Sequence, residues 1–284
     1  MSFGVGGAPI GAPGFTVPAH SLVGVAATPV APARWETGVS FSPETCEQVW
    51  VTAVGCDPVT QPTPANNDPV VNVDSFQITT LFECRSTGHE VVGYQRRAMD
   101  AIDALTPRAV EGQFWTGAQG ASDLALRKTP ATAFDGCKGV IGAAAVAPAR
   151  ALGALIQAIS DCSSGGRGAI HARPEVVSLW TDTGSVVEKG GQLVTLVGQH
   201  HVVPGVGYPG TGPNGHASAA TTNWAYATSG TPQMILGPAS SNPGTFNEAF
   251  DRRINMVRFQ GQREAAVWWD GCLSAAIRVD LPAI

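Results

Sequence analysis

The segment GAIHARPEVVSLWTDTGSVVEKGGQLVTLVGQHHVVP, residues 168–204, decides how this chain is read. Gly168–Ala172 is a short apolar run and predicts a strand. Pro174 opens a predicted short helix, Pro174–Thr181, because its fixed φ suits the first helical position. Gln192–Val197 (QLVTLV) predicts a second strand, and after a glycine His200–Pro204 (HHVVP) predicts a third. These pieces make one short α/β unit. After a Gly/Pro-rich loop, Trp224–Thr228 (WAYAT), Asn255–Gln260 (NMVRFQ), Arg263–Trp269 (REAAVWW) and Ser274–Val279 (SAAIRV) predict an antiparallel series. Trp268 and Trp269 face opposite sides of such a strand, so at least one ring must bury against another layer or subunit.

Upstream lies one long predicted helix. Thr87 with Glu90 three residues on forms a capping box. Val91, Gln95, Ala98, Met99, Ile102, Leu105 and Ala109 then share a face at helical spacing. Thr106-Pro107 is expected to kink or restart the helix, and Gly117 to end it. A second helix, Pro148–Ser160, stops at Cys162-Ser-Ser-Gly-Gly. Before the long helix, Thr37–Phe41, Gln48–Val54, Val70–Val73 and Ser75–Phe82 read as strands around a polar tip, Thr60–Asp68, and so predict a long hairpin. Residues 1–34 are a Gly/Pro/Ala/Val tract without charge before Arg34. Such a tract is either a disordered tail or, given Val5, Ile10, Phe15, Val17, Leu22 and Val23, an extended arm laid on a neighbouring chain.

The chain has 284 residues, 44% hydrophobic and only 14% charged, with 34 glycines and 21 prolines. That is enough length for a large core. So little charge suits either a Gly/Ala-rich β protein or a surface covered by neighbouring subunits. A net charge of −5, with Lys128, Lys138 and Lys189 the only lysines, argues against nucleic-acid binding through a basic face. No apolar run is long enough for a transmembrane helix, and the N-terminus lacks the charged and apolar regions of a signal peptide, so a cytoplasmic chain with no membrane partner is expected. Six cysteines without a CxxC pair speak against zinc. Buried free thiols are the expected state, with Cys46 and Cys56 the candidate disulfide across the hairpin.

No constellation for catalysis is legible, and no cofactor is expected. His200 and His201 on a strand point to opposite faces and cannot chelate one ion. His171, among apolar neighbours, reads as a hydrogen-bonded core histidine. Gly205–Gly215 (GVGYPGTGPNG) lacks the GK[ST] ending of a phosphate loop and is expected to be a surface loop. No GxSxG elbow occurs, and no acidic pair has a context that would split its pKa values. Asp251-Arg252-Arg253 and the Arg263–Glu264 pair are candidates for ion pairs between subunits or for solvated turns.

Taken in order, these elements resemble the HK97-type major capsid proteins of tailed bacteriophages over residues 35–284. LVTLVGQHHVV, residues 193–203, resembles that family's glycine followed by a valine-rich strand. TPRAVEGQFWTG (residues 106–117) and VRFQGQREAAVWWDGC (residues 257–272) are similar to structural proteins of actinobacterial phages. The resemblance implies an α+β HK97-like capsid fold divided as N-terminal arm 1–34, E-loop hairpin 35–75, peripheral domain with its spine helix 76–165, axial domain 166–250, and C-terminal strands 251–284 returning to the peripheral domain. It implies no enzyme but a shell protein that self-assembles through hexamers and pentamers into an icosahedral phage head around double-stranded DNA, without sequence-specific binding. Scaffolding, decoration and portal proteins are its implied partners, and the virion, assembled in the host cytoplasm, its location. Candidate intersubunit contacts are Phe15, Val17, Trp50, Asn66, Asn67, Arg96, Arg97, Asp251, Arg252, Arg253 and Glu264. The chain departs from family members that carry a charged helical scaffolding segment, so scaffolding is separate or absent. Residues 37–73 hold no lysine, which excludes a Lys–Asn cross-link donated from that loop and leaves Asn66 and Asn67 as acceptors only. An encapsulin nanocompartment shell reads similarly. From other classes, a secreted β-rich binding protein or hydrolase, or a phage tail or decoration protein, are the competing readings.

Overall fold

Phe76–Arg85 and Met256–Trp268 are far apart in sequence yet pair antiparallel from Arg85 opposite Met256 to Phe76 opposite Ala265. That ladder anchors half of the fold. The computed structural model describes residues 20–41, 71–85, 94–117, 124–135, 137–162 and 166–282. Their elements are α1 (Leu22–Val25), β1 (Val39–Phe41), β2 (Val71–Val73), β3 (Phe76–Arg85), α2 (Tyr94–Thr116), β4 (Lys138–Val140), α3 (Pro148–Cys162), β5 (Gly168–Ala172), α4 (Pro174–Asp182), β6 (Val186–Lys189), β7 (Gln192–Thr195), β8 (His201–Pro204), β9 (Thr222–Ser229), β10 (Gln233–Leu236), β11 (Ser240–Asn242), α5 (Phe246–Ala249), β12 (Phe250–Asp251), β13 (Met256–Trp268) and β14 (Ser274–Asp280). A few short 3-10 turns complete the set.

A seven-stranded sheet runs in the order β4-β14-β9-β5-β8-β7-β6. Its middle strands bury both faces, because alternate residues enter two different cores. Ile170, Ala172, Ala225, Ala227, Ala275 and Ile277 meet α3 and α4 on one side. Tyr226, Trp224, Val203 and Ala276 meet α2 and the end of β13 on the other. α3 buries Ala151, Leu152, Leu155, Ala158 and Ile159, a stripe at helical spacing. The second sheet is built on β13, with β10, β11 and β12 along one edge and β3 along the other. β1 and β2 form the base of the expected hairpin, with Val39 opposite Val73 and Phe41 opposite Val71. They pack with Trp35 onto Ala266 and Trp268 of β13.

Several expectations are corrected. α2 runs unbroken through Pro107, and Thr106 Oγ1 donates to the Ile102 carbonyl at 2.6 Å. Ile102 and Val110, on either side of the proline, are buried in the same core, which outweighs the local cost of the ring. The buried stripe of α2 runs Ala98, Ile102, Thr106, Val110 and Phe114, and Leu105 is 48% exposed. A step of four drifts round the helix, which lets the helix face the β3/β13 sheet at its start and the seven-stranded sheet at its end. Gly117, at φ +56°, does end α2. The two strands expected at 255–260 and 263–269 are one continuous strand, β13. The apparent break is Gly261, where a Cβ would sit 2.6 Å from the Ala98 carbonyl, so glycine is there to admit the helix. The strand expected at 192–197 stops at Thr195. The closing strand β14 lies between β4 and β9 in the seven-stranded sheet. The expected strand Gln48–Val54 and the capping pair Thr87/Glu90 fall outside the described residues.

Candidate intersubunit surfaces

A buried carboxylate organises the centre of the molecule. Glu111 projects from α2 and is fully buried. Its Oε1 accepts the Leu22 N–H at 3.1 Å, and its Oε2 accepts the Gly207 N–H at 2.8 Å. One side chain thus ties the root of the N-terminal arm and the loop after β8 to the long helix. Burial raises the Glu111 pKa, while the backbone N–H groups it accepts pull it back. The 205–215 loop is therefore not the surface loop expected from its composition. Tyr208 is buried, and Thr211 accepts Trp115 Nε1 at 3.0 Å and Tyr226 OH at 3.1 Å. A Cβ at Gly207 would collide with the Arg108 carbonyl, so the glycines read as loop signals instead let this backbone lie against α2.

His171 is a buried core histidine, as expected. Its Nδ1 pairs with Tyr208 OH at 3.0 Å and its Nε2 with Thr228 Oγ1 at 3.1 Å. Desolvation pushes its pKa down to about 3, so the ring is neutral. Beside it, Phe114 stacks on Trp269 edge-on at 5.2 Å. The two tryptophans divide as their strand position requires, with Trp268 in the core beside Trp35 and Trp269 in the core beside Phe114. His200 Nδ1 accepts the Gly168 N–H at 3.2 Å, a structural role. Among the described residues, no three His, Cys, Asp or Glu side chains come together to hold a metal, and no helix is long and apolar enough to cross a membrane.

The cysteines depart from expectation. Cys137, just before β4, is bonded to Cys162 at the end of α3, with their Cα atoms 5.4 Å apart, and Cys272 is disulfide-bonded as well. These residues are separated by 25 positions and meet only because α3 returns across the sheet edge that carries β4. The candidate pair Cys46 and Cys56 lies outside the described residues.

The candidate contact residues are scattered. Phe15, Val17, Trp50, Asn66 and Asn67 lie outside the described residues. Arg96 and Arg97 are exposed near the start of α2, Arg96 facing Asp100 one turn on at 4.0 Å. Asp251, Arg252 and Arg253 are exposed on the tight turn between β12 and β13, where Asp251 Oδ1 accepts the Arg253 N–H at 2.9 Å. Arg263 points to α2 and meets Asp103 at 2.6 Å within the chain, whereas Glu264 sits opposite Gln77 on the other face of the β3/β13 ladder. Arg258 and Glu83, directly opposed on the same ladder, also pair within the chain. No single patch gathers these charges.

Two surfaces escaped the sequence reading. Leu196 and Val197, both 66% exposed, form the turn after β7, next to the exposed Val187 of edge strand β6. Gly198 directly after them was the available signal for a turn. The second is a groove of about 410 Å³ between the first residues of β3 and the end of α2, lined by Phe76, Ile78, Ala109, Gly112, Thr116 and Pro209.

No protein-family model and no curated protein sequence matches the chain. Solved structures do. The capsid of a native GTA particle superposes with a TM-score of 0.57 at 10% identity, covering 100% of this chain and 96% of the other. The capsid of the empty GTA particle gives 0.55 at 12% identity, with the same coverage. A chain of Mycobacterium phage Ogopogo gives 0.52 at 14% identity, covering 98% of this chain and 96% of its own. Such identities speak for backbone architecture and nothing finer, and the architecture is agreed along nearly the whole length: this chain carries the α+β HK97-like capsid fold.

Proposed function

We propose that the chain is a structural shell protein, the major capsid protein of a tailed bacteriophage. It self-assembles through hexamers and pentamers into an icosahedral head that encloses double-stranded DNA. The observation that carries the reading is the end-to-end likeness to chains of the native and the empty GTA capsid. The chain's own chemistry agrees with it. A chain so poor in charge, with an apolar N-terminal tract and the β1–β2 pair at the base of the expected hairpin, suits large mutual interfaces, each burying on the order of 1,600 Å². The net charge of −5 keeps the protein from clinging to packaged DNA.

In this reading residues 1–34 are the arm, 35–75 the E-loop hairpin, and 76–165 with the 251–284 strands a peripheral unit on α2. Residues 166–250 are the axial unit, whose seven-stranded sheet also takes in β4 and β14 while its last strands β10 and β11 pair with β13. The exposed tip at Val187, Leu196 and Val197 belongs to that axial unit and suits contact with the next copy round a capsomer. Assembly takes place in the host cytoplasm, with decoration, portal and, where one is used, scaffolding proteins as partners, and the product is the virion shell. The polar turn Asp251–Arg253 and the α2 pair Arg96 and Arg97 then act as rim charges between subunits.

Negative-stain electron microscopy of the chain expressed alone, and again with a co-expressed scaffolding protein, tests the proposal. Closed shells, or rings of five and six, are the expected result. A uniform monomer at high concentration in both preparations would overturn it. Shells that recover a folded enzyme and exclude DNA would replace the phage head with an encapsulin compartment.

A further inference from the structure

We infer that Cys137 and Cys162 form a redox-timed lock. Both stay thiols while the shell is built in the host cytoplasm, and they join once the particle meets an oxidising medium, where the bond pins the edge of the seven-stranded sheet. This rests on the shell-assembly reading above and adds a change that takes place after assembly. Thiols are kept reduced in a cytosol, so a bridge in a chain assembled there closes later. The folded chain brings this pair to bonding geometry, with the Cα atoms 5.4 Å apart.

The fold holds the two residues together without the bond. Cys162 is the last residue of α3, and Leu155 and Ile159 anchor that helix as fully buried side chains. Its last turns sit so close to β5 that a Cβ at Gly168 would lie 2.8 Å from the Ile159 side chain. Cys137 is fixed from the other side. Its carbonyl accepts the Ser274 N–H at 3.0 Å, and Asp135 Oδ1 accepts the Lys138 N–H at 3.0 Å. A chain with cores of this size folds without a staple, unlike a small secreted domain. Two thiols held in this way react with each other far faster than separate thiols would, because their approach is already fixed. Both residues are half-buried, so a small oxidant reaches them. With dissolved dioxygen, the two S–H bonds break, one S–S bond forms, and the oxygen leaves as hydrogen peroxide.

The bond acts on the weakest margin of the sheet. β4 is an edge strand of three residues that pairs with β14, Lys138 opposite Ser274 and Val140 opposite Ala276. A short edge strand opens before the sheet as a whole. In the reduced chain such an opening breaks only local contacts. In the oxidised chain the strand stays tethered to α3, which is seated in the core. The particle therefore assembles with a yielding edge and stiffens outside the cell.

The test alkylates thiols inside the cell. Cells assembling shells are treated with N-ethylmaleimide before lysis. A second batch is lysed, purified and kept in air or with oxidised glutathione before the same treatment, with microscopy of both. Peptide mapping should find maleimide on Cys137 and Cys162 in the first batch and the linked Cys137–Cys162 peptide in the second. Oxidised parent shells should denature about 6 °C above oxidised shells of the Cys137→Ala, Cys162→Ala double variant, and reductant should close that gap. Cys272 is unaltered in both, so its own bond cancels from the comparison. Hydrogen exchange at Lys138–Val140 should slow on oxidation in the parent and not in the variant. Shells that carry the linked peptide already inside cells, or keep free thiols after oxidation, would overturn the inference and leave the assembly reading standing. Absence of shells from both batches would overturn that reading, and the lock with it.

Discussion

Replacing Glu111 with Gln should loosen the arm root and the 205–215 loop together. The carboxylate accepts two backbone N–H groups on its two oxygens, from Leu22 and Gly207. An amide keeps one acceptor and turns an N–H donor toward the other backbone N–H. One hydrogen bond to a charged group is lost, worth about 1.5–3 kcal/mol, and a buried donor is left without a partner. Desolvation already opposes the Glu111 charge, so the lower part of that range, about 2 kcal/mol, is the working figure. For a chain of 284 residues the unfolding entropy is roughly 0.6 kcal/mol per kelvin, so the melting temperature should fall by about 3 °C. Hydrogen exchange followed by mass spectrometry supplies the specific readout. Peptides covering Leu22 and Gly207 should lose protection together, while those of the distant hairpin β6–β7 keep theirs. Unchanged exchange at both amides, or a melting temperature equal to the parent's, would refute the assignment of Glu111 as the common tie.

Cys137→Ala combined with Cys162→Ala opens a 25-residue loop, which costs about 3.5 kcal/mol on chain-entropy grounds, and should lower the melting temperature by roughly 6 °C in oxidising buffer. Differential scanning fluorimetry checks it, and an equal melting temperature would show that the bridge does not form in solution. His171 is neutral when folded because its pKa is depressed to about 3, whereas an unfolded histidine titrates near 6.5, so the unfolded state takes up more protons on acidification. Its contribution is intact above about pH 6.5 and is lost as pH falls toward 3, by up to about 1.4 kcal/mol per pH unit. Glu111, whose pKa is raised, acts in the opposite direction, so urea midpoints of the parent against His171→Gln between pH 6 and pH 4 isolate the imidazole. A parent no more acid-sensitive than the variant would contradict the buried neutral ring. Leu155→Ala removes a fully buried side chain of the core beneath α3 and should cost about 2–5 kcal/mol in equilibrium denaturation.

What the residues determined by themselves was mostly periodic and local. Gly168–Ala172, the helix begun by Pro174 and the helix at Pro148 were readable because apolar spacing and the fixed φ of proline act within a few residues. The order of these elements carried the family resemblance for the same reason. His171 was legible as a core histidine from its apolar neighbours alone. Tertiary structure decided whatever depends on partners distant in sequence. Gly261 and Gly207 read as breaks because a lone glycine signals flexibility, and only the approach of α2 shows that they are contact points. Pro107 looked like an interruption because the packing that holds its two flanking turns lies in other elements. The role of Glu111 rests on backbone N–H groups 89 and 96 residues away, and that of Cys137 on a helix returning across a sheet edge.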